Sequence, residues 1–156
     1  MCSSDLLPRI AGDGRDREAR ADALYGAWLC GTCLGTVGMS LHHKLCHTLG
    51  GTFELPHAET HTVVLSHALA YNAPAIPDVM SQLVTVLGED PAIRLYELAG
   101  VLGAARALKD LGMPEAGIGE AARRTLANPY WNPRTLEIGA IETLIARAWS
   151  GQEPGS

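Results

Sequence analysis

The six histidines of this 156-residue chain all fall between residues 42 and 67, and four of them form two i,i+4 pairs, His43 with His47 and His57 with His61. A helical turn takes about 3.6 residues, so each pair shares a face and can aim two imidazoles at one point. Imidazole serves two chemistries at neutral pH. It is the commonest neutral ligand for a divalent metal, and with an unperturbed pKa of about 6.5 it can also give or take a proton. His42 lies about 100° around a helix from His43 and is expected to point away from the shared face, while His67 is expected at the rim or in a structural role. Glu59 and Lys44 could supply charge at the edge. No carboxylate is fixed by spacing as a further ligand, and no nucleophile is paired with a base.

The cysteines offer a weaker signal. Cys30-Gly31-Thr32-Cys33 has the spacing of a metal or redox pair, but a zinc site normally needs a second pair and a redox site normally follows a strand. Cys30, Cys33 and Cys46 are therefore expected as small buried helix residues, and Cys2 belongs to no motif.

The elements that must position the histidines read as helices throughout. Between the two pairs stand Gly50, Gly51 and Pro56, which can end one helix and begin another, so the pairs are expected on Leu41 to Leu49 and on His57 to Tyr71, meeting at a cleft. Asp16 to Val37 reads as a glycine-containing helix at a buried centre. Further helices are expected over Asp78 to Leu87, Ala92 to Leu108, Glu115 to Leu126 and Leu136 to Trp149, each with apolar residues at helical spacing. Residues 1–15 and 151–156 are expected to be frayed. No segment carries a convincing strand period, because Thr62 to Leu65 is short and embedded in a helical pattern. The fold class expected is all-α, a bundle of about six or seven helices with residues 16–150 as one domain.

Composition narrows the partners. The length and a hydrophobic content of 47% fit one globular domain, and a net charge of −5 offers no basic stripe for nucleic acid. No stretch approaches the roughly 20 apolar residues that span a bilayer, and the first residues carry charges and Pro8 where a secretion signal needs an apolar run. The expected setting is the cytoplasm, with neither membrane nor nucleic acid as a partner. Asn128 to Arg134 is expected to be a turn whose Tyr130 and Trp131 plug one end of the core.

Three runs resemble a known family. Gly38-Met39-Ser40-Leu41-His42-His43-Lys44-Leu45-Cys46-His47-Thr48-Leu49-Gly50-Gly51, then Leu55-Pro56-His57-Ala58-Glu59-Thr60-His61, and later Asn128-Pro129-Tyr130-Trp131-Asn132-Pro133-Arg134 are similar to the iron-containing alcohol dehydrogenase superfamily. Within it they resemble the maleylacetate reductase branch, over about residues 16 to 150. The resemblance implies the C-terminal helical domain of a dehydroquinate-synthase-like enzyme, whose N-terminal domain binds NADH or NADPH. It also implies reduction of maleylacetate to 3-oxoadipate in aromatic-compound degradation, and a homodimer as the full-length enzyme.

Residue by residue, the resemblance places metal-ligand positions for iron or zinc at His43 and His57, with His47 beside them as a proton donor or substrate contact. An aspartate and a further histidine that complete that metal site lie upstream in the family, and Met1 to Leu41 holds no match to them. The glycine-rich nucleotide loop is also unmatched, so the nucleotide domain is expected in cis or in trans. On this reading His47, His57 and His61 form the catalytic polar wall, and Arg134 or Lys44 would meet a substrate carboxylate. Two other readings compete. One is a metal-dependent alcohol dehydrogenase domain or metal module, with His43, His47, His57 and His61 on iron or zinc; the other is a non-catalytic helical remnant, marked by an exposed apolar patch.

Overall fold

The computed structural model describes residues 3–128 and 130–155, so Cys2 and Pro129 lie outside the described residues. Eight α-helices are present among them and no strand: α1 (Ser3–Gly12), α2 (Arg17–Leu34), α3 (Leu41–Phe53), α4 (His57–Asn72), α5 (Pro77–Leu87), α6 (Pro91–Val101), α7 (Ile118–Leu126) and α8 (Ile138–Ser150). Short 3-10 turns follow α4 and lie between α6 and α7. The all-α class holds, with one helix more than the six or seven expected. None of the described helices is long and apolar enough to cross a membrane.

The chain forms two compact units that divide after Met39. In the first, α1 replaces the frayed segment expected over residues 1–15. It packs on α2, where Leu6 and Ala19 are buried. Asp16 caps α2 by accepting from the Ala19 backbone N–H at 3.0 Å and from Arg9 Nη2 at 2.7 Å, which ties α1 to the start of α2. These donors hold the Asp16 carboxyl below its usual range, the Ala19 N–H contributing most. The expectation of a buried centre at α2 is corrected. Its Leu24, Tyr25, Trp28 and Leu29 are exposed, and a Cβ added at Gly26 or Gly31 would meet nothing within 4 Å, so these glycines serve no close approach to α1. Cys30 and Cys33 are likewise exposed rather than buried.

The second unit carries the core and the histidines. Leu41, Leu45 and Leu49 recur every fourth residue of α3 and are fully buried against α4, α7 and α8, from which Val64, Ala121, Ala122, Ile141 and Ile145 enter the same cluster. Helix α3 runs through Gly50 and Gly51 instead of stopping at Leu49, and ends where Glu54 adopts a left-handed conformation, φ 55. Pro56 then opens α4. Helix α6 is shorter than the expected Ala92 to Leu108. Gly103 turns the chain at φ 69, and the Ala104 N–H closes on the Ala99 carbonyl at 2.9 Å, so residues after Val101 leave the helix. The described tail is not frayed either: Tyr96 donates its hydroxyl to the Gly151 carbonyl at 2.7 Å, and Pro154 is buried.

Candidate active site

A three-residue link, 54–56, makes α3 and α4 an antiparallel hairpin, and this connection decides which imidazoles meet. His47 and His57 stand equally far from Thr52, as do His43 and His61, so each α3 histidine faces the α4 histidine at its own level. The ring centroids of His47 and His57 are 6.4 Å apart and those of His43 and His61 are 5.0 Å apart. Along each helix the i,i+4 partners complete the circuit, at 6.3 Å for His43 and His47 and 4.3 Å for His57 and His61. The leucine stripe of α3 lies on the far side of that helix from His43 and His47, so core packing holds these two rings outward.

His42 joins the cluster, against the expectation that it points away. Helix α4 lies along the side of α3 that carries His42 and Cys46, and the His42 ring stands 4.9 Å from His61 and 5.2 Å from His43. Its Nε2 is 3.1 Å from the His61 carbonyl oxygen; that oxygen can only accept, so Nε2 carries the proton. The spacing rule considered one helix at a time and missed the contact made by the next. His67 is a core residue, 2% exposed, with no partner on Nε2 among the described residues.

Burial disfavours the charged form of three of these rings. It pushes His42 and His43 below the ordinary imidazole value, with His43 further depressed by His47 and His57. His61 is pushed down to about 4, chiefly by burial and then by the neighbouring His42, and its buried Nε2 has no partner. At neutral pH His61 is therefore an uncharged ring, suited to orient its neighbours rather than to donate a proton. His47 and His57 are exposed. His47 also lines a cleft of about 390 Å³ with Thr48, Gly51, Thr52, Arg124, Ala127 and Asn128.

The two side chains expected to meet a carboxylate are engaged elsewhere. Arg134 donates to the Tyr71 carbonyl at 2.8 Å and lies 4.4 Å over the Tyr71 ring, which makes it a brace at the end of α4. Lys44 Nζ sits 5.5 Å over the Tyr130 ring. Arg124 was not singled out by spacing, because no motif contains it. The turn after α7 is also partly corrected: Tyr130 packs on the core, but Trp131 is 74% exposed and plugs nothing. Its Asn132 instead exchanges amide bonds with Asn72, at 2.8 and 3.2 Å, and accepts from Ser40 Oγ at 2.6 Å, joining the start of α3 to the end of α4.

Metal binding can be tested against the donors present. His42, Cys46 and His61 bring their donor atoms within 4.8 Å of one another. His42 donates through Nε2 to the His61 carbonyl and would ligate through Nδ1, and three donors fall short of the closed four-ligand set of a structural zinc site. His43 and His57 supply two imidazoles and no carboxylate, which leaves an iron or zinc site unfinished. Among the described residues, no set of donors closes a four-ligand metal site.

Comparison with known proteins sets this hairpin in its family. Residues 4–149 match the Fe-containing alcohol dehydrogenase family, C-terminal. The chain is 55% identical to maleylacetate reductase of Sphingobium indicum over 149 residues, covering 95% of this chain and 42% of that protein. It is 54% identical to maleylacetate reductase of Pseudomonas knackmussii over 151 residues, covering 96% of this chain and 43% of the relative. The crystal structure of maleylacetate reductase from Agrobacterium tumefaciens superposes with a TM-score of 0.93 at 48% identity, over 97% of this chain and 43% of that one. The chain thus spans less than half the length of the relatives it matches, and the family match over nearly its whole length decides its place: it belongs to the Fe-containing alcohol dehydrogenase family, as the C-terminal part.

Proposed function

We propose that this chain is the substrate-side half of an NAD(P)H-dependent maleylacetate reductase acting in the cytoplasm, with the nucleotide held mainly by a further domain, in cis or in trans. The observation that carries the reading is the imidazole wall of His43, His47, His57 and His61, on a chain more than half identical to maleylacetate reductases over nearly its whole length. The nicotinamide supplies hydride to a carbon–carbon double bond conjugated with a ketone. Hydride adds at the carbon β to the ketone, the π electrons move onto the ketone oxygen as an enolate, and a proton taken up at the α-carbon gives the saturated 3-oxo acid.

The chain's own part is to meet that enolate. His47, exposed and facing the cleft, is the proton donor; His57 stands beside it as the second polar contact, and the neutral His61 ring backs His57 at 4.3 Å. His43 and His57 remain the positions where the family's metal would be held if ligands from elsewhere completed the set.

The test is to place this chain after the nucleotide-binding domain of one of its relatives and follow maleylacetate-dependent oxidation of NADH or NADPH. Turnover is expected, and His47→Ala should lower kcat by about 100-fold or more, within the range for loss of a general acid. If the chimera folds, binds nucleotide and shows no reduction of maleylacetate, the reading fails.

A further inference from the structure

The cleft beside His47 is walled by the last turns of α3 on one side and by the end of α7 and the turn after it on the other. At about 390 Å³ it lies within the roughly 300–1,000 Å³ range of small-molecule sites. Its lining is small or neutral except for His47 and Arg124, so Arg124 brings the fixed charge. The guanidinium, 59% exposed, pairs with Glu120 one turn earlier, which accepts from Nε at 2.8 Å and from Nη2 at 2.7 Å through a single carboxylate oxygen. That pair leaves the Nη1 protons uncommitted to it. The adjacent Arg123 is directed differently. Its Nη1 lies 3.3 Å from where a Cβ would stand on Gly119, and a Glu142 carboxylate oxygen lies 3.5 Å from the same point.

We infer that Arg124 anchors a carboxylate of the substrate in this cleft and so sets the reacting carbons against His47; the inference rests on the reductase reading and deepens it. A guanidinium presents paired N–H donors that match a carboxylate edge, which an ammonium does not. The Thr48 hydroxyl cannot add a donor, because its proton is given to the Lys44 carbonyl at 2.9 Å. Asn128 and Thr52 are the neutral groups left to complete the contact. One guanidinium with neutral helpers and Glu120 alongside suits one carboxylate group of a dicarboxylic acid, which brings a single charge, and disfavours phosphate, which brings up to two charges on one group beside Glu120. Arg124 is on this reading a specificity-determining residue. It selects an acid over its ester and leaves proton transfer to His47.

Two measurements test this. In the first, maleate is titrated into the 156-residue chain and followed by NMR, with inorganic phosphate as the competing anion. The Arg124 side-chain N–H and the Thr52 and Asn128 signals should move on one saturable curve. Arg124→Met should weaken that curve at least tenfold, Arg123→Met should leave it in place, and phosphate should bind more weakly than maleate. Shifts that are absent, that fall elsewhere, that survive Arg124→Met, or that phosphate produces more readily overturn the assignment. In the second, the chimera with a relative's nucleotide domain carries Arg124→Met. KM for maleylacetate should rise at least tenfold with kcat within about threefold, Arg124→Lys should recover part of the loss, and the preference for the acid over its methyl ester should disappear. An unchanged KM and an unchanged preference overturn the anchor and leave the reductase reading standing. Maleate binding at Arg124 in a chimera that folds and never reduces maleylacetate overturns the reductase reading instead.

Discussion

His67 sits on α4 inside the core, 2% exposed, and burial pushes it down to about 4, with the Arg147 guanidinium of α8 adding to the same effect. In the unfolded chain the ring returns to a pKa of about 6.5. Between those values the unfolded state binds more protons than the folded one, so stability rises with pH across the window and falls as the solution is acidified through it. The shift corresponds to about 3 kcal/mol lost on going from neutral pH to the lower value. Carboxylates also titrate on this path, so the measurement is a difference: urea unfolding of the parent chain and of His67→Gln over the same pH range. The parent should lose more stability on acidification than the variant, and parallel curves would refute the assignment. The role itself was not legible from spacing, because a histidine outside the i,i+4 pairs carries no mark of whether its helix turns it into the core. His43, His47, His57 and His61 were legible, since two pairs on either side of a helix break specify a shared seam once the hairpin closes. His42 was not, since its contact belongs to the geometry between two helices rather than to the period of one.

The α3–α4 hairpin is held at both of its ends by contacts that no periodicity announces. At the closed end, Phe53 lies against Gly117: a Cβ added to that glycine would stand 2.6 Å from the ring, closer than packed atoms tolerate. Gly117→Ala should therefore push Phe53 aside and lower stability by about 1–3 kcal/mol, the usual cost of overpacking. Thermal unfolding checks it, and a Gly117→Ala protein as stable as its parent would mean that the ring moves freely. At the open end, Asn132 bonds Asn72 and Ser40 together. Asn132→Ala leaves both partners short of a bond in a half-buried setting, and a loss of about 1–3 kcal/mol is expected in chemical denaturation. Asn132→Asp should recover only part of the loss, since it keeps the acceptor for Ser40 Oγ and Asn72 Nδ2 and loses the amide that donates to Asn72 Oδ1 and the Arg134 carbonyl. The helices themselves were readable because leucines recur every fourth residue on α3 and Pro56, Pro77 and Pro91 mark helix starts. The end of α6 was not. Leu102 and Ala105 continue its apolar stripe in the sequence, while the turn at Gly103 takes the chain out of the helix, so that Ala105 packs on the core from the segment after it.

At the scale of the molecule, α2 separates what a pattern specifies from what a chain presents. Its later part is apolar on every side, with Leu24, Tyr25, Trp28, Leu29 and Leu34 among small residues, and such a helix normally reads as buried. Within its own unit only α1 packs on it, and Trp28 is 62% exposed. The pattern therefore states a requirement for cover that α1 alone does not meet, in a chain that spans 42% of a relative such as the Sphingobium indicum enzyme. Exposed apolar side chains on a helix lower solubility without contributing to packing. Replacing Trp28 and Leu34 by glutamine in the 156-residue chain should raise its soluble concentration several-fold. It should change the unfolding free energy by no more than about 0.5 kcal/mol per site, as expected for surface positions, with the Tyr25–Trp28 ring contact at 5.8 Å lost. Solubility limits and urea unfolding of parent and double variant decide it. A large loss of stability would show that these side chains are packed in solution and that the apolar pattern of α2 is already satisfied within the chain.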